Sequence, residues 1–155
     1  MEIVERKIRS LNNLMFLLPS GYVKSDDKYN LGNGQGFINC ENYFGENGVI
    51  SLFEIHRDPD EFFEYYHSMM ENTSEEKDEF FMFGYYSLKA NNFVIPLYAI
   101  KSKSKGFFTI QAFVNCANSV ACFMITSDKW DKDLKVNLSS HKLFGDLVKI
   151  LRTVQ

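Results

Sequence analysis

Residues 80–127 read FFMFGYYSLKANNFVIPLYAIKSKSKGFFTIQAFVNCANSVACFMITS, and this stretch decides the fold. It holds four runs rich in aromatic and β-branched residues: Phe80 to Leu88, Phe93 to Ile100, Phe107 to Cys116 and Ser119 to Ser127. Such runs suit a pleated, half-buried surface. Between them stand short turn signals at Ala90-Asn91-Asn92, Lys101 to Gly106 and Ala117-Asn118. Connections this short join antiparallel neighbours, so the stretch predicts a four-stranded meander. In the third run Phe108, Ile110, Ala112 and Val114 share one face. Thr109, Gln111 and Asn115 take the other face together with Phe107 and Phe113, so both faces are partly covered. Pro96 cannot donate to a ladder, which predicts an edge strand or a bulge at that point.

Upstream of the meander, Asp58 can cap a helix, Pro59 fits its first position and Glu61 follows three residues after the cap. Phe62, Phe63, Tyr66, Met69 and Met70 then form one apolar stripe. The helix is predicted to fade near Asn72. Residues 71–79 carry five acids and one lysine and read as a solvated loop. Before the helix, Gly36 to Phe44 and Val49 to His56 flank Gly45-Glu46-Asn47-Gly48, a hairpin signal. Val49, Ser51, Phe53 and Ile55 fall on one face of the second run, and Ile50, Leu52, Glu54 and His56 on the other. Nearer the N-terminus, Ile3 to Arg9 predicts a short strand. Leu14 to Leu18 predicts a buried one that stops at Pro19-Ser20-Gly21. Downstream, 128–137 reads as a charged loop containing Trp130. Ser139 or Ser140 is positioned to cap a last helix with Leu143, Phe144, Leu147, Val148 and Leu151 on its apolar face. Hairpins of strands with helices kept apart argue for the α+β class. The expectation is one domain over residues 1–155, with an antiparallel sheet of about six or seven strands flanked by two main helices.

Composition narrows the function classes. The chain has 17 basic and 20 acidic side chains, a net charge of -3, and 45% hydrophobic residues. A balance that small spreads no strong field, which argues against nucleic-acid binding. The alternating Lys101, Lys103 and Lys105 read instead as protection of a sheet edge. The N-terminus MEIVERKIRS lacks the apolar core of a signal peptide. Apolar runs such as Phe93 to Ile100 fall far short of the roughly 20 residues of a membrane span. The expected compartment is therefore the cytoplasm, without membrane insertion, and Asn72-Thr73-Ser74 and Asn137-Leu138-Ser139 are chance glycosylation patterns.

The motifs that resemble chemistry are weak. Gly32-Asn33-Gly34-Gln35-Gly36 runs into a β-like segment, so no helix N-terminus would face a phosphate. His56-Arg57-Asp58 spells a kinase tripeptide, but position 63 is Phe where the pattern needs Asn. Cys40, Cys116 and Cys122 form no CxxC pair, and His56, His67 and His141 have no second ligand at metal spacing. A Cys–His pair assembled by the fold, such as Cys40 with His56, stays open. No catalytic, cofactor or metal residue is therefore assigned, and no cofactor is expected.

The aromatic doublets are the stronger signal. In a strand, adjacent residues face opposite ways, so Phe80-Phe81, Tyr85-Tyr86 and Phe107-Phe108 place rings on both faces of the sheet. Either helices cover both faces, or one face meets a partner.

The order of elements resembles the PsbP-like fold superfamily, which includes the DcrB-like bacterial proteins. The residues that carry the likeness are Leu14-Met15-Phe16-Leu17-Leu18-Pro19-Ser20-Gly21-Tyr22, where Tyr22 stands in place of the family's usual Trp. The hairpin, capped helix, meander and terminal helix then follow in the same order over nearly the whole chain. The resemblance implies an α/β/α sandwich and a non-enzymatic binding or assembly role. One branch looks like secretion-effector chaperones that act as dimers, and the family brings no catalytic residue to carry over. The expected function is a non-catalytic cytoplasmic adaptor, effector chaperone or immunity-type protein. It would bind a protein partner or a second copy through an aromatic surface, with Tyr85, Tyr86 and Phe107 as candidate anchors. The alternative is a small enzyme or ligand-binding domain with a pocket between sheet and helix.

Overall fold

The structure, a computed structural model, describes residues 2–7, 13–25, 37–104, 106–127 and 141–155. The strands are β1 Glu2–Lys7, β2 Asn13–Leu18, β3 Val23–Ser25, β4 Phe37–Gly45, β5 Gly48–Ile55, β6 Phe80–Ala90, β7 Phe93–Ser102, β8 Phe108–Asn115 and β9 Val120–Ser127. The helices are α1 Pro59–Glu71 and α2 Lys142–Thr153. Seven strands form an antiparallel sheet in the order β3-β4-β5-β9-β8-β7-β6, and β1 pairs with β2 in a separate ladder. The predicted meander is therefore present as β9-β8-β7-β6, with the predicted hairpin β4-β5 joined to it through β9.

One helix covers each face of the sheet. On the first face Ile50, Leu52, Ile95, Leu97, Phe108, Ile110 and Phe123 pack against Leu143, Leu147, Ile150 and Leu151 of α2. β2 joins this layer. It is not buried along its whole length but alternates, with Leu14, Phe16 and Leu18 inside and Met15 exposed. The chain end holds β2 in place: Met15 N–H donates to Gln155 O at 3.2 Å, Gln155 N–H returns a bond to Met15 O at 2.9 Å, and Leu17 N–H donates to Thr153 Oγ1. On the opposite face Phe53, Ile55, Tyr98, Ile100, Phe113 and Cys122 pack against Phe62 and Met70 of α1.

Several sequence expectations are corrected. The buried face of α1 runs through Phe62 and Met70, with Phe63, Tyr66 and His67 half-buried, while Met69 is 41% exposed. At 100° per residue the stripe centres on positions 62, 66 and 70, and Met69 falls beyond its edge. α2 is rotated in the same way: Asp146 and Ile150 are buried, while Phe144 and Val148 are half-buried. Its cap is His141, whose Nδ1 accepts from Leu143 N–H at 3.2 Å, rather than Ser139 or Ser140. Those two serines lie outside the described residues, as do Trp130, Lys105, the Gly32–Gly36 loop and the last two residues of the expected strand 3–9.

β7 is an inner strand between β6 and β8, but at Pro96 it is an edge locally, because residues 93–96 have no partner in β8. The pair Ala90↔Phe93 closes a two-residue turn, with Asn91 at φ 53°. A closing pair of that kind is hydrogen-bonded, and bonded pairs then alternate along the ladder. Pro96, opposite Ser87, takes a non-bonded place, and its nitrogen points away from β6. The β7–β8 ladder begins one residue later, at Leu97↔Ala112, so the missing N–H breaks no pairing.

The segment after α1 is solvated, as the sequence predicts, and is also tied down by hydrogen bonds. Glu79 accepts from the Ser102 hydroxyl at 2.8 Å and from Ser104 N–H at 3.1 Å, and Thr73 Oγ1 accepts from Met82 N–H at 2.9 Å. Glycine is required at two hairpin positions. Gly48 has φ +145°, and a Cβ there would lie 2.4 Å from the Thr126 carbonyl oxygen. A Cβ at Gly45 would lie 2.6 Å from the Tyr22 ring.

Candidate functional site

Asp58 fixes the start of α1 by accepting from Glu61 N–H at 3.1 Å, as the sequence predicts. That cap and Pro59 set the helix phase that points Tyr66 and His67 at the sheet. Tyr66 stacks on Phe62 at 5.4 Å and meets Phe113 edge-on at 4.8 Å, and its hydroxyl donates to Gln111 Oε1. Burial, reinforced by Cys122 and Tyr98, pushes the Tyr66 phenol well above its ordinary range. Tyr98 lies 5.1 Å from Tyr66, and its hydroxyl is 2.9 Å from His67 Nδ1. His67 Nε2 is 2.9 Å from Glu71 Oε1. A carboxylate can only accept, so in the neutral ring Nε2 carries the proton and Nδ1 accepts from Tyr98. Burial, then the neighbouring Tyr85 and Glu71, pushes the Tyr98 phenol up to about 12. Tyr85 closes the chain of rings, 5.0 Å from His67 and 5.1 Å from Tyr98, and is 45% exposed.

The three candidate anchors do not converge on one patch. Tyr85 lies on the α1 face. Tyr86 lies on the α2 face, half-buried, with its ring 6.0 Å from Phe144. Phe107 sits at the other end of β6, half-buried, 6.0 Å from the exposed Phe80. Tyr85 and Tyr86 belong to strand β6, which has β7 on one side and ends the sheet, whereas Phe107 precedes β8 and meets β6 through Phe80. Lys101, read from the sequence as edge protection, lies in β7 with its ammonium 5.2 Å from Phe81 and 5.7 Å from Phe83.

A second, polar cluster stands at the end of β5, and no local pattern in the sequence announces it. Glu54 is 2% exposed and accepts from the Ser119 hydroxyl at 2.6 Å, while its other oxygen is 2.9 Å from His56 Nε2. Here the carboxylate stands between hydroxyl and imidazole. Nucleophilic catalysis needs the imidazole beside the hydroxyl so that it can take the proton. Cys116, nearby in sequence, donates its thiol to Val114 O at 3.6 Å, and burial pushes that thiol up to about 11. A thiol so seldom ionised is a weak nucleophile. The side chain of Cys40 lies outside the described residues, and so does the Cys40–His56 possibility. Among the described residues no group of three or more His, Cys, Asp or Glu side chains could hold a metal ion, and no helix is long and apolar enough to cross a membrane.

A cleft of about 340 Å³ opens beside the Pro19-Ser20-Gly21 turn, lined by Tyr22, Glu46, Lys142, Asp146 and Lys149. Tyr22 donates to Asp146 Oδ2 at 2.8 Å, and burial followed by that carboxylate raises its phenol well above the ordinary range. The turn that carries the family likeness is thus bolted to α2 through a phenol.

No protein-family model matches the sequence, and no curated protein matches it. Solved structures do match. The solution structure of cyanobacterial PsbP (CyanoP) from Synechocystis sp. PCC 6803 superposes with a TM-score of 0.51 at 10% identity, covering 85% of this chain and 83% of that one. The fold is PsbP-like. A Pseudomonas aeruginosa protein of unknown function, PA94, aligns over 94% of this chain and 95% of its own at 14% identity, with a TM-score of 0.44. In the PsbP-like frame the turn 19–22 sits on the α2 face and the exposed tyrosine of β6 on the α1 face, so the likeness-bearing turn and the aromatic surface are separate places.

Proposed function

We propose that this PsbP-like chain is a non-catalytic binding protein of the cytoplasm, an adaptor, effector chaperone or immunity-type factor that engages another protein along β6. The observation that carries this reading is Tyr85. It is a large, 45% exposed ring held in place by His67 and Tyr98, themselves hydrogen-bonded to one another. A preformed aromatic anchor costs little entropy to bury, and such residues dominate binding energy at interfaces. Tyr65 and Met69, 57% and 41% exposed, lie on the opposite flank of α1 from His67 and are not part of this surface. A non-catalytic role accords with the placement of the reactive groups: the Ser119 hydroxyl is committed to Glu54, and the Cys116 thiol is held protonated by burial. The test is capture of a protein partner by wild-type and Tyr85→Glu protein. Tyr85→Glu should lose at least tenfold in affinity with an unchanged melting temperature. Equal binding by both proteins would remove Tyr85 from the interface.

A further inference from the structure

Strand β6 ends the seven-stranded sheet, and no strand of the described residues pairs with its outer side. It is 11 residues long, whereas β3 at the opposite edge has three. Long open edges invite pairing with another strand, and proteins ordinarily shorten, bulge or charge them. Here the bulge is confined to Met82/Gly84, and beyond it Tyr85 to Lys89 pairs regularly with β7.

The alternation set by the Ala90↔Phe93 turn determines which backbone groups point outward. They belong to Lys89, Ser87 and Tyr85, which lie opposite Val94, Pro96 and Tyr98 in non-bonded pairs. All three residues are exposed. Two observations agree with this parity. Met82 N–H, on the outward side, is taken by Thr73 Oγ1. Ser102 N–H, which the same count turns away from β6, donates to Phe107 O.

We propose, resting on the reading of β6 as the binding surface, that its occupant is the β6 strand of a second copy of this chain, paired antiparallel about a two-fold axis at Ser87. The strand is self-complementary in that register and poorly so in its neighbours. Centred on Ser87, the three outward-facing residues all pair: Ser87 with its own copy, and Tyr85 with the second copy's Lys89 in both directions. The lysine then approaches an aromatic ring on the α1 face, a favourable cation–π placement. On the α2 face, half-buried Tyr86 falls opposite half-buried Leu88. Centring on Lys89 would oppose two ammonium groups, and centring on Tyr85 would run the partner strand into the Met82/Gly84 bulge. An isologous contact of this kind closes after two copies and leaves the short β3 edges outermost.

Sedimentation of the wild type over a concentration series, set beside Ser87→Pro, tests this. Ser87 N–H points outward, so proline leaves the β6–β7 ladder whole and blocks only the edge. The expected result is a wild-type particle of twice the chain mass, a Ser87→Pro particle of half that mass, and the same circular dichroism for both. Amide exchange supplies a second readout that does not depend on the variant folding. The amides of Tyr85, Ser87 and Lys89 should slow at least tenfold as concentration rises, while those of Tyr86 and Leu88 stay protected throughout. A wild type monomeric at every concentration, or a dimer that Ser87→Pro leaves intact with those three amides still fast, overturns the proposal. If that monomer still captures a different protein and Tyr85→Glu abolishes the capture, the pairing of copies fails while the binding role stands. If Tyr85→Glu changes nothing, both fail.

Discussion

The two faces of the sheet are covered by different means. The α2 face is sealed by a helix, a strand and residues 153–155, and its central aliphatic and aromatic residues are almost wholly out of water, with Tyr86, Leu88 and Phe144 half-buried around them. The α1 face is covered by one helix, and its packing is dominated by the rings of Phe62, Tyr66, Tyr98 and Phe113, of which the two tyrosines carry hydroxyls and Tyr98 reaches outward to His67 and Tyr85. Apolar residues packed on all sides specify stability and little else. Rings with polar tips can be half-buried, hydrogen-bonded and still exposed at the rim. The difference locates the foundation of the molecule on the α2 face and its exposed, polar-tipped rings on the α1 face and the adjoining edge.

The sharpest way to break this comparison is to make the same deletion on each face. Phe123 is wholly buried under β2, its ring 5.1 Å from Phe16, and Phe123→Ala should cost about 4 kcal/mol. Phe62, 6% exposed beneath a single helix, has more freedom for its neighbours to relax, and Phe62→Ala should cost about 3 kcal/mol. Met69→Ala, on the exposed side of the same helix, should change stability by no more than about 0.5 kcal/mol. Urea denaturation of the three variants measures the order. A Phe62→Ala loss larger than that of Phe123→Ala would reverse the assignment of the foundation face.

Much of the fold was legible in the sequence because its signals are local. The meander, the 45–48 hairpin turn and the Asp58 cap each depend on residues a few positions apart. The phase of each helix was read less well. Met69 and Val148 belong to apolar stripes by spacing alone, yet Asp146 is the residue that turns inward, because Tyr22, 124 positions away, supplies its hydrogen bond. The same limit applies to the site. Tyr85 was identified as a candidate anchor, but its support from His67 and Tyr98 joins a helix and two strands that no local pattern relates. Pro96 shows a different limit: it lies in an inner strand, and only the register tells that the ladder to β8 starts one residue beyond it.

A smaller effect sharpens the role of the likeness-bearing turn. Tyr22→Phe keeps the ring against Gly45 and removes only the hydroxyl that donates to Asp146 at 2.8 Å. A buried acceptor left without its donor should cost about 2 kcal/mol, without altering association along β6. If the loss is instead below about 0.5 kcal/mol, water or a lysine of the adjoining cleft has replaced the phenol, and the turn is held by packing alone.

The smallest expected effect concerns pH and singles out the α1 face. The Tyr98 phenol has an ordinary value of 10.0 and stands at about 12 in the folded chain, chiefly through burial. A raised folded value means that the unfolded chain releases this proton first. The contribution is therefore fully present below about pH 10 and is lost as pH climbs toward about 12. Tyr22 and Tyr66 are raised as well, so the alkaline decline is shared, and Tyr98→Phe should flatten it only in part. At neutral pH the variant loses the hydrogen bond to His67, a cost of about 1 kcal/mol. Urea midpoints near neutrality and at about pH 11 separate the two effects, because the gap between variant and wild type should narrow as the pH rises. A gap that stays constant would mean that Tyr98 keeps its ordinary value. In that case the ring network under Tyr85 would be open to solvent, and the α1 face would be less firmly built than its packing implies.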